Sequence, residues 1–507
     1  MTPEHNRPSA SPQPQPLPST PLPAPTDEEE EDTPVVPPRQ RHGPSRDLTT
    51  GSIPKNLWWL AWPQMVESVL NVVDQIIDLV WAGIISVGAI AGVGIAQTYR
   101  QLTMTGRMGF DTAMRAQVAR AIGAGDVRLA NHLALQGFTL SAGFSLVVGL
   151  SGVIFTVPLM QMLGLSQDII DTASFYMRIQ FLSVIGVAFR QMGGAALQAA
   201  GDAVTPMKAT TLTRAIHIFL SPFLIFGWLG MPEMGIAGAA LADVLAQFAG
   251  STWNFAVLFS GNARLHLTLR GYRPDLPVLW RTTKIALPAS VTGMERSTAQ
   301  LVLVALVANF GTMALAAFSM TRRVENLAQL GGGGLGQASG VLVGQNLGAG
   351  RPDRARKTVV WALSYAAALA GTLTVLLIIF APIIVKGFTR DPELIPLGAD
   401  WLRILALSVF CLGAGQVFAQ SFNTAGATLI PMLVSLFSFW LIEVPLALMI
   451  TGSSIPVGLF GLTVTFPTIA HLGQFGIAWA ITIAMFIRLA AFVPYFLGDQ
   501  WLKKRVI

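Results

Sequence analysis

Charged residues and cysteine are scarce in this chain of 507 residues. Asp, Glu, Lys and Arg together make up 12% of it, whereas 52% is hydrophobic and the mean hydropathy is +0.56. Soluble globular chains carry about 25% charge. A string of soluble domains is therefore excluded, and a polytopic helical membrane protein is indicated. The single cysteine, Cys411, excludes an intrachain disulfide.

Motifs for nucleotide, metal and acyl-transfer chemistry are absent as well. The sequence has no GxxxxGK followed by Ser or Thr, which would bind ATP phosphates, and no HExxH, CxxC or GxSxG pattern. We therefore expect no enzymatic activity, no cofactor and no metal. We also expect that the chain does not drive transport by hydrolysing a nucleotide itself.

The first 53 residues differ in composition from the rest. Thirteen of the 31 prolines lie within residues 1–50, together with the acidic run 27–32. Such a segment buries too little apolar surface to offset the entropy lost on ordering. We expect residues 1–53 to form a disordered cytoplasmic tail, and their PxxP spacings leave an SH3-type ligand open as an alternative.

From residue 57 onward, apolar stretches long enough to cross about 30 Å of hydrocarbon follow one another with short breaks. We predict an all-α polytopic membrane protein with a first six-helix lobe at 54–262, a cytoplasmic loop at 263–277, a second six-helix lobe at 278–500 and a basic C-terminus at 501–507. The twelve predicted transmembrane helices are 57–84, 88–122, 130–162, 168–199, 204–229, 235–260, 278–310, 312–347, 355–387, 392–424, 428–451 and 474–499.

Basic residues are distributed unequally between the two sets of loops. One side has two, Lys386 and Arg390. The other has sixteen: Lys55, Arg120, Arg128, Lys208, Arg264, Arg270, Arg273, Arg281, Lys284, Arg351, Arg354, Arg356, Lys357, Lys503, Lys504 and Arg505. Because cytoplasmic loops are enriched in Lys and Arg, we expect an inner (plasma) membrane protein with both termini in the cytoplasm. The membrane topology then explains the basic pI of about 9.7, and a nucleic-acid partner is not expected.

The chain contains an internal duplication. Shifting it against itself by 225 residues aligns Pro63 with Pro288, residues 123–125 (GAG) with 348–350 (GAG), and 206–207 with 431–432. Beyond this the shift grows to 241, so sixteen extra residues fall in the second half, and we expect them in the external loop 452–473. Each half holds an even number of helices, which predicts two lobes related by a pseudo-two-fold axis along the membrane normal and a cavity between them.

Several ordered motifs resemble one transporter family. The first helix has Pro63, Asp78 and Gly83 at the family's spacing. Residues 118–126 (VARAIGAGD), 343–356 (VGQNLGAGRPDRAR) and 199–207 (AAGDAVTPM) also match it, as do SPFLIFG, MGIAGAALAD, LPASVTG and ALAAF farther along. Over residues 54–500 the chain therefore resembles the multidrug and toxin extrusion (MATE) transporters. The resemblance implies a secondary antiporter that exports drug-like compounds or metabolites in exchange for protons or sodium, by alternating access.

Ionisable residues inside the membrane are costly and are therefore candidate sites. In the first helix Glu67, Asn71, Asp74 and Asp78 recur at i, i+4, i+7 and i+11, which is one helical face. The resemblance implies that Asp78 is the coupling aspartate, and we assign Asp74 to the same role. Glu67 and Asn71 are assigned to the substrate cavity, with hydrogen bonding to neighbouring helices as the alternative.

Two positions depart from the pattern of the family. The fifth helix has His217, Ser221 and Pro222 where one branch has Asn and Asp-Pro, and the sixth ends its GAALA motif with Asp243 in place of Thr. We hypothesise that the second carboxylate has moved to Asp243, with His217 between it and Asp78. An imidazole there would favour proton coupling over sodium coupling. The alternative is that both residues only form structural hydrogen bonds.

The second lobe supplies further candidates. Glycines recur every four residues in the eighth helix, and their repeat partners in the second helix include a charged triplet. Such a ladder lets helices approach closely, so we assign Pro63 and these glycines to packing and conformational change, namely Gly332, Gly336 and Gly340. The charges inside the helices are assigned to the substrate cavity, namely Arg100, Glu295, Arg296 and Glu325.

We expect a monomer in contact with membrane lipids and a small organic substrate, cationic or amphipathic. Arginines near the cavity leave a zwitterionic or anionic substrate open. Two other classes are also open. A lipid-linked-sugar flippase of the same superfamily would be expected to have fourteen spans or a large basic cavity. A non-transporting sensor or scaffold derived from a transporter would tolerate neutralisation of Asp78.

Overall fold

A computed structural model describes residues 46–85, 87–162, 167–452, 457–459, 462–464 and 467–504. Most of the predicted tail lies outside these residues. Fourteen α-helices account for nearly all of the described chain: α1 Ile53–Ile85, α2 Val87–Gly123, α3 Val127–Ile154, α4 Thr156–Met162, α5 Gln167–Ala199, α6 Val204–Phe226, α7 Ile236–Ser260, α8 Leu276–Ala308, α9 Thr312–Gly348, α10 Pro352–Lys386, α11 Leu394–Ala425, α12 Leu429–Leu436, α13 Val444–Thr451 and α14 Phe475–Leu497.

The fourteen helices correspond to the twelve predicted spans, because two of the spans each consist of two helices. Phe155 separates α3 from α4 within the third span. In the eleventh span the π-helical turn Phe437–Glu443 joins α12 to α13. Within the described residues, six helices are individually apolar and long enough to cross a membrane by length and composition: α3, α6, α10, α11, α12–α13 and α14. The others carry the polar residues considered below.

The outer surface of the bundle is apolar. Large hydrophobic side chains are exposed on several helices, for example Val147, Ile154, Phe219 and Ile383, each of which is at least 66% exposed. Soluble proteins seldom expose contiguous apolar surface on this scale. Hydrocarbon is the solvent that matches such a surface, which agrees with the predicted membrane location.

The helices pack as two lobes whose first helices are exchanged. In the first lobe α5, α6 and α7 pack together with α2 and α3, and in the second α9, α10 and α11 pack together with α14. However, α1 packs chiefly on α9 of the second lobe, and α8 packs chiefly on α2 of the first. Because α1 and α8 are equivalent in the repeat, as are α2 and α9, the exchange is symmetric. It agrees with the predicted pseudo-two-fold relation.

Equivalent glycines end α2 and α9. Gly125 and Gly350 have φ of +80° and +67°, a region that favours glycine. After Gly125 the chain enters α3, whose N-terminus is capped by Asp126 through a 2.8 Å hydrogen bond from Leu129 N. After Gly350 it enters α10, which has Pro352 in its first turn. The repeated GAG motif is therefore a pair of helix-ending turns. We call the end of the bundle that carries these turns the turn end.

The lobes meet tightly at the turn end. A methyl group built on Gly123 would lie 2.0 Å from the carbonyl oxygen of Gln345, and one on Gly348 would lie 2.0 Å from that of Arg120. Gln345 also donates a 2.7 Å hydrogen bond to the Ala199 carbonyl at the end of α5. The helix backbones of the two lobes are therefore in direct contact here.

The glycine ladder of α9 packs on α11 of its own lobe. Methyl groups built on Gly332, Gly336 and Gly340 would lie 2.9 Å or less from atoms of α11: the Cα of Gly413, the carbonyl of Gln416 and the hydroxyl of Thr424. Close packing therefore accounts for these three glycines. The predicted packing residue Pro63 is buried inside the continuous helix α1.

Residues 46–52 precede α1 and form a strap across the turn end. Arg46 N donates to the Gly201 carbonyl (3.3 Å), and Leu48 is fully buried in the core that α9, α10 and α11 form with it. From the second lobe, Arg351 donates to the Thr49 carbonyl (2.7 Å) and Arg354 to the Gly51 carbonyl (2.8 Å). The prediction of disorder is therefore corrected for these residues.

An acidic side chain stabilises the strap locally. Partial burial acts to raise the pKa of Asp47, but hydrogen bonds from Thr49 and the charge of Arg264 outweigh it, so the pKa lies below its ordinary value. The contact with Arg264 Nη1 measures 3.6 Å. Asp47 therefore links the strap to the segment between α7 and α8.

The predicted insertion contains a β-hairpin. β1 (Val457–Leu459) and β2 (Leu462–Val464) pair antiparallel, with Val457 opposite Val464. They lie in the 452–473 segment to which the sixteen additional residues of the second half were assigned, on the side opposite the turn end. The repeat therefore diverges in a loop and leaves the packing of the helices intact.

Candidate functional site

The carboxylates of α1 face α6 and α7 of the first lobe. Asp74 is buried, and the side chain of Asp78 is 11% exposed. Arg214 on α6 donates from Nη1 to Asp74 Oδ2 and from Nη2 to Asn71 Oδ1 (3.0 Å). The face predicted from helical spacing is thus a real polar face, and its central carboxylate has a buried guanidinium as partner.

His217 connects the two aspartates of α1. Its Nδ1 lies 2.7 Å from Asp74 Oδ1, and its Nε2 lies 3.5 Å from Asp78 Oδ1. The ring is 1% exposed. Asp243 also lies near the ring, because ligand atoms of Asp74, His217 and Asp243 lie within 4.8 Å of one another. One imidazole of α6 therefore contacts two aspartates that are about one turn apart on α1.

Asp243 lies in the same cluster but is held by other groups. Its carboxylate accepts hydrogen bonds from Ser183 (2.8 Å) and Gln247 (2.9 Å). It also forms ion pairs with Arg100 Nη1 (3.3 Å) and Arg214 Nη1 (3.6 Å). With two guanidinium groups and two neutral donors, Asp243 is a fully paired carboxylate. Asp243 and Asp78 also interact electrostatically.

Asp74, His217 and Asp243 could in principle hold a cation, because each offers one ligand atom and these atoms lie within 4.8 Å of one another. The position between the two carboxylates is already taken by Arg214, whose Nη1 contacts both of them. A metal ion there would face a guanidinium at contact distance. The donor set therefore does not fit a resident metal ion while Arg214 keeps this position.

Two arginines that organise this site, Arg214 and Arg190, were not among the residues predicted from the sequence. Arg190 on α5 is 5% exposed and donates from Nε to Gln247 Oε1 and from Nη1 to Thr210 Oγ1, both at 2.8 Å. The available signal was their position, since each arginine lies within a predicted span, where an ionisable group is costly. The sequence did not show which side chains on other helices would pair with these arginines.

A cavity of about 570 Å³ opens beside this cluster, between the lobes. Its wall combines Asp78 with three guanidinium groups, from Arg100, Arg190 and Arg214. Residues of α8, among them Gln300, complete the wall from the second lobe. The predicted cavity between the lobes is therefore present, and its wall carries more positive than negative side chains.

A second cavity of about 220 Å³ lies nearer the turn end and shares Asn71 and Arg190 with the first. Glu67 lines it and accepts a 3.3 Å hydrogen bond from Gln198. Arg115 also lines it and donates to Gln337 Oε1 on α9 (2.6 Å), a contact between the lobes. Glu67 and Asn71 thus both line this cavity.

The charged triplet of α2 is divided between two roles. Arg107 is buried and bonds Asp111 through both terminal nitrogens (2.8 and 2.9 Å), and it also donates to Gln191. Arg115 points instead to α9. These α2 positions are the repeat partners of packing glycines in α9. In α2 they carry a polar network instead, which bonds α5 through Arg107 and the second lobe through Arg115.

The second-lobe candidates form a separate group. Glu325 is 2% exposed and accepts a 2.6 Å bond from Arg322, and Glu295 is 7% exposed and interacts electrostatically with Arg488 and Arg296. Arg296 lines a third cavity of about 150 Å³ between α2, α8, α11 and α14. Neither Glu295 nor Glu325 is among the residues that line the three cavities described here. The structure thus does not bring these two together with the carboxylates of α1.

Glu443 joins this second group at the π-helical turn. It is 3% exposed and interacts electrostatically with Arg322 and Arg488 and with Glu295 and Glu325. π-helical turns occur frequently at functional sites. Arg100 and Glu325 are repeat partners at the 225-residue shift, so the two lobes carry opposite charges at one equivalent position.

A duplicated bundle of twelve spans, with buried ionisable networks and a polar cavity between its lobes, defines a polytopic membrane transporter. The MatE family model matches residues 63–223 and again residues 288–449. The two matches begin 225 residues apart, as the internal repeat requires. The chain belongs to the MATE family and is a transporter, not an enzyme.

Curated relatives match over nearly the whole chain. A probable multidrug resistance protein NorM from Thermotoga maritima is 28% identical over 90% of this chain and 94% of the relative. A protein named FAD transporter from Shewanella oneidensis is 25% identical over 85% of this chain and 93% of the relative. Among solved structures, an outward-facing MATE family transporter of the MOP superfamily matches with a TM-score of 0.80 and 20% identity, over 90% of this chain and 98% of that one. The last match shows the fold.

Proposed function

We propose that the protein is a secondary antiporter that exports small organic compounds, drug-like molecules or metabolites, in exchange for inward-moving protons. The observation that carries the proposal is the imidazole of His217 held between Asp74 and Asp78 beside the cavity of about 570 Å³. Imidazole is the side chain whose ordinary titration lies near neutral pH. A proton that binds this group would change the charge of the cavity wall where a substrate would contact it.

The same geometry favours protons over sodium. A sodium ion bound between Asp74 and Asp243 would have to displace the Arg214 guanidinium. A proton on His217 or Asp78 requires no displacement, because each already faces the other at 3.5 Å. In this proposal Asp78, His217 and Asp74 exchange the proton. Asp243 is the fixed counter-charge of Arg100 and Arg214.

Alternating access is supported by the contacts between the lobes. Direct backbone contacts join α2 to α9 at the turn end, whereas the cavity lined by Asp78 and Arg100 lies toward the opposite end. We infer that this conformation is closed at the turn end. The basic loops support assigning the turn end to the cytoplasm, with both termini on that side of the inner membrane. The conformation would then be the one that faces outward.

Protonation would drive the cycle through differential affinity for two conformations. A proton taken up from outside at the His217–Asp78 pair would change the charge of the cavity wall, and with it the relative affinity of the two conformations for the substrate. Release of the substrate would permit closure, and discharge of the proton inside would restore the substrate-binding state. The lobes predicted at 54–262 and 278–500 would be the moving bodies, and the contacts of α1 with α9 and of α8 with α2 would change as they move.

The test uses purified protein in proteoliposomes, with a panel of cationic and anionic fluorescent dyes and with pH and sodium gradients imposed in turn. Dye movement under the pH gradient that is lost in Asp78→Asn is the expected result. Movement under sodium alone would contradict proton coupling. Failure of every gradient to move any dye, or unchanged movement in Asp78→Asn, would contradict the antiporter and point to the flippase or the scaffold.

A further inference from the structure

We propose that the cavity of about 570 Å³ binds an organic anion, whose carboxylate or phosphate group is held by Arg190 with Arg100 and Arg214 on either side. This inference rests on the proposed function and names its substrate class. It replaces the cationic substrate expected from the sequence. Three arginines line this cavity, and they differ in whether a carboxylate is paired with them.

Arg190 is the central residue. It is 5% exposed, and both of its hydrogen-bond acceptors, Gln247 Oε1 and Thr210 Oγ1, are neutral. No carboxylate among the described residues lies within 4.0 Å of its guanidinium, in contrast to Arg100, Arg107 and Arg214. Glu67 and Asp243 act on Arg190 electrostatically from beyond that distance. A buried cation whose direct partners are all neutral is costly. An anion delivered from the cavity would supply the missing charge.

One donor of Arg190 remains free for that anion. Nε and Nη1 are engaged by Gln247 and Thr210, whereas Nη2 has no hydrogen-bond partner in the described part of the chain. Arg190 lines both the larger and the smaller cavity. Because Gln247 is itself bonded to Asp243 at 2.9 Å, the guanidinium is held in one orientation. A planar guanidinium fixed in this way suits the oxygens of a carboxylate or phosphate.

The acids of the network lie behind the arginines. Asp74 and Asp243 are each 1% exposed and neither lines the cavity, whereas Arg100, Arg190 and Arg214 do. Asp78 is the one carboxylate in the cavity wall. The network as a whole is nearly balanced, but the surface that a substrate would contact carries three positive groups and one negative group. A cation in this cavity would meet mainly repulsion.

The rest of the wall suits the body of an organic molecule. Met104, Val187, Leu301 and Val304 supply apolar contacts, and Gln101 and Gln300 supply neutral hydrogen-bonding groups. A volume of about 570 Å³ is within the range of ligand pockets. An inorganic anion would leave most of this space unfilled. The occupant is therefore inferred to be an anion with a sizeable organic body.

Two pairs of fluorescent probes test the inference by direct binding to the purified full-length protein. Flavin mononucleotide and riboflavin differ by one phosphate, and carboxyfluorescein and rhodamine 6G share a ring system but differ in the sign of their charge. We expect each anionic member to bind about tenfold or more tightly than its partner. The stronger member among the two anions distinguishes phosphate from carboxylate.

Variants assign the preference to the cavity. Arg190→Gln should lower anion affinity about tenfold and leave riboflavin unchanged, and Arg190→Lys should restore part of the loss. Arg100→Gln provides a second case at a side chain that is 21% exposed, in case Arg190→Gln does not fold. Arg403→Gln is the matched control, because Arg403 pairs with Asp400 at an exposed site on α11. Equal binding within both probe pairs, or an unchanged preference in the Arg190 and Arg100 variants, would overturn the proposal.

The outcome is distinguishable from failure of the antiporter. If anions bind and Arg190→Gln weakens them, but no gradient moves them, the binding site stands and the transport proposal fails. If rhodamine 6G moves under a pH gradient while neither anionic probe binds, the antiporter stands and the anion site fails.

Discussion

Nε2 of His217 lies 3.5 Å from Oδ1 of Asp78, while Nδ1 of the same ring lies 2.7 Å from Asp74. One imidazole therefore spans two carboxylates that are separated by about one turn of α1. Because a single ring contacts both, a change of its protonation acts on both carboxylates at once. Side chains of α6 thus contact α1 through this ring as well as through Arg214.

Replacing His217 tests this coupling. In wild-type protein we expect the initial rate of substrate exchange to vary with pH, because the imidazole between Asp74 and Asp78 takes up and releases the exchanged proton in this proposal. In His217→Gln we expect a rate reduced about tenfold or more and a flat pH profile. The measurement is the initial rate in proteoliposomes at a series of symmetric pH values.

His132 provides the matched control for this experiment. It pairs with Asp275 at 3.2 Å and is 38% exposed, away from the cavities. His132→Gln should keep the wild-type pH profile. If His217→Gln kept that profile as well, another group would have to carry the proton.

Removing Arg214 should destabilise the first lobe. Arg214→Gln leaves Asp74 without its guanidinium and Asp243 with Arg100 alone. Breaking a buried ion pair from one side costs about 3–5 kcal/mol, so we expect a clearly lower unfolding midpoint in detergent. The measurement is thermal unfolding followed by intrinsic fluorescence.

The double variant Arg214→Gln with Asp74→Asn removes both charges of the pair and should recover part of the midpoint. Arg403→Gln should shift it little, since exposed ion pairs contribute about 0–1 kcal/mol. A double variant no more stable than Arg214→Gln would indicate that the cost lies in packing.

Two glycines of α9 make it possible to measure the effect of packing separately from the effect of helix propensity. A methyl group on Gly336 would lie 2.9 Å from the Gln416 carbonyl oxygen, whereas one on Gly333 has no atom within 4 Å. Gly333→Ala should be neutral or stabilising by about 0.5–1 kcal/mol, because alanine favours the helix. Gly336→Ala should be destabilising, and Gly336→Leu should prevent folding or transport.

The comparison is made by thermal unfolding and by transport in the same preparations. If Gly336→Ala matched Gly333→Ala in both, contact between α9 and α11 would not explain the ladder.

A disulfide across the lobes tests whether the turn end must open. A methyl group on Gly344 would lie 2.9 Å from Cβ of Ala119. This is shorter than the Cβ separation of about 3.5–4.5 Å in a disulfide, so the two helices would have to move slightly apart when the bond forms. With Cys411→Ser removing the native thiol, Ala119→Cys combined with Gly344→Cys should cross-link α2 to α9 on oxidation. Transport should then stop and should return on reduction.

The two single-cysteine proteins are the controls. Each should transport equally under oxidising and reducing conditions, with Gly344→Cys at the lower level that its contact with Thr424 permits. Full transport by the cross-linked protein would contradict alternating access through the turn end.

Much of the fold follows from the sequence because it depends on local signals. Apolar length sets the spans, and the 225-residue repeat sets the lobes and the equivalent GAG turns. The polar face of α1 follows from helical spacing, which brings Asp74 and Asp78 to one side. Asp243 and His217 were found because they depart from a motif, and the structure brings both to the same cluster.

Long-range pairing was not predictable in the same way. Arg190 and Arg214 are single charges in apolar spans, and nothing in their neighbourhood in sequence identifies Gln247 or Asp74 as partners. The exchange of α1 and α8 between lobes depends on how whole helices pack. The strap was interpreted as disordered because its composition resembles the tail, whereas its order comes from contacts with residues 150 to 300 positions away.

The strap receives its hydrogen bonds mainly on backbone oxygens. Arg351 and Arg354 bond the carbonyls of Thr49, Thr50 and Gly51, and Arg264 bonds that of Arg46. Every amino acid has such a carbonyl, so these bonds to the arginines do not depend on which side chains stand at 49–51. Because Arg351 and Arg354 belong to the second lobe while Arg46 N bonds the Gly201 carbonyl of the first, separating the lobes at the turn end would require the strap to detach from one of them, which would place an activation barrier on that step.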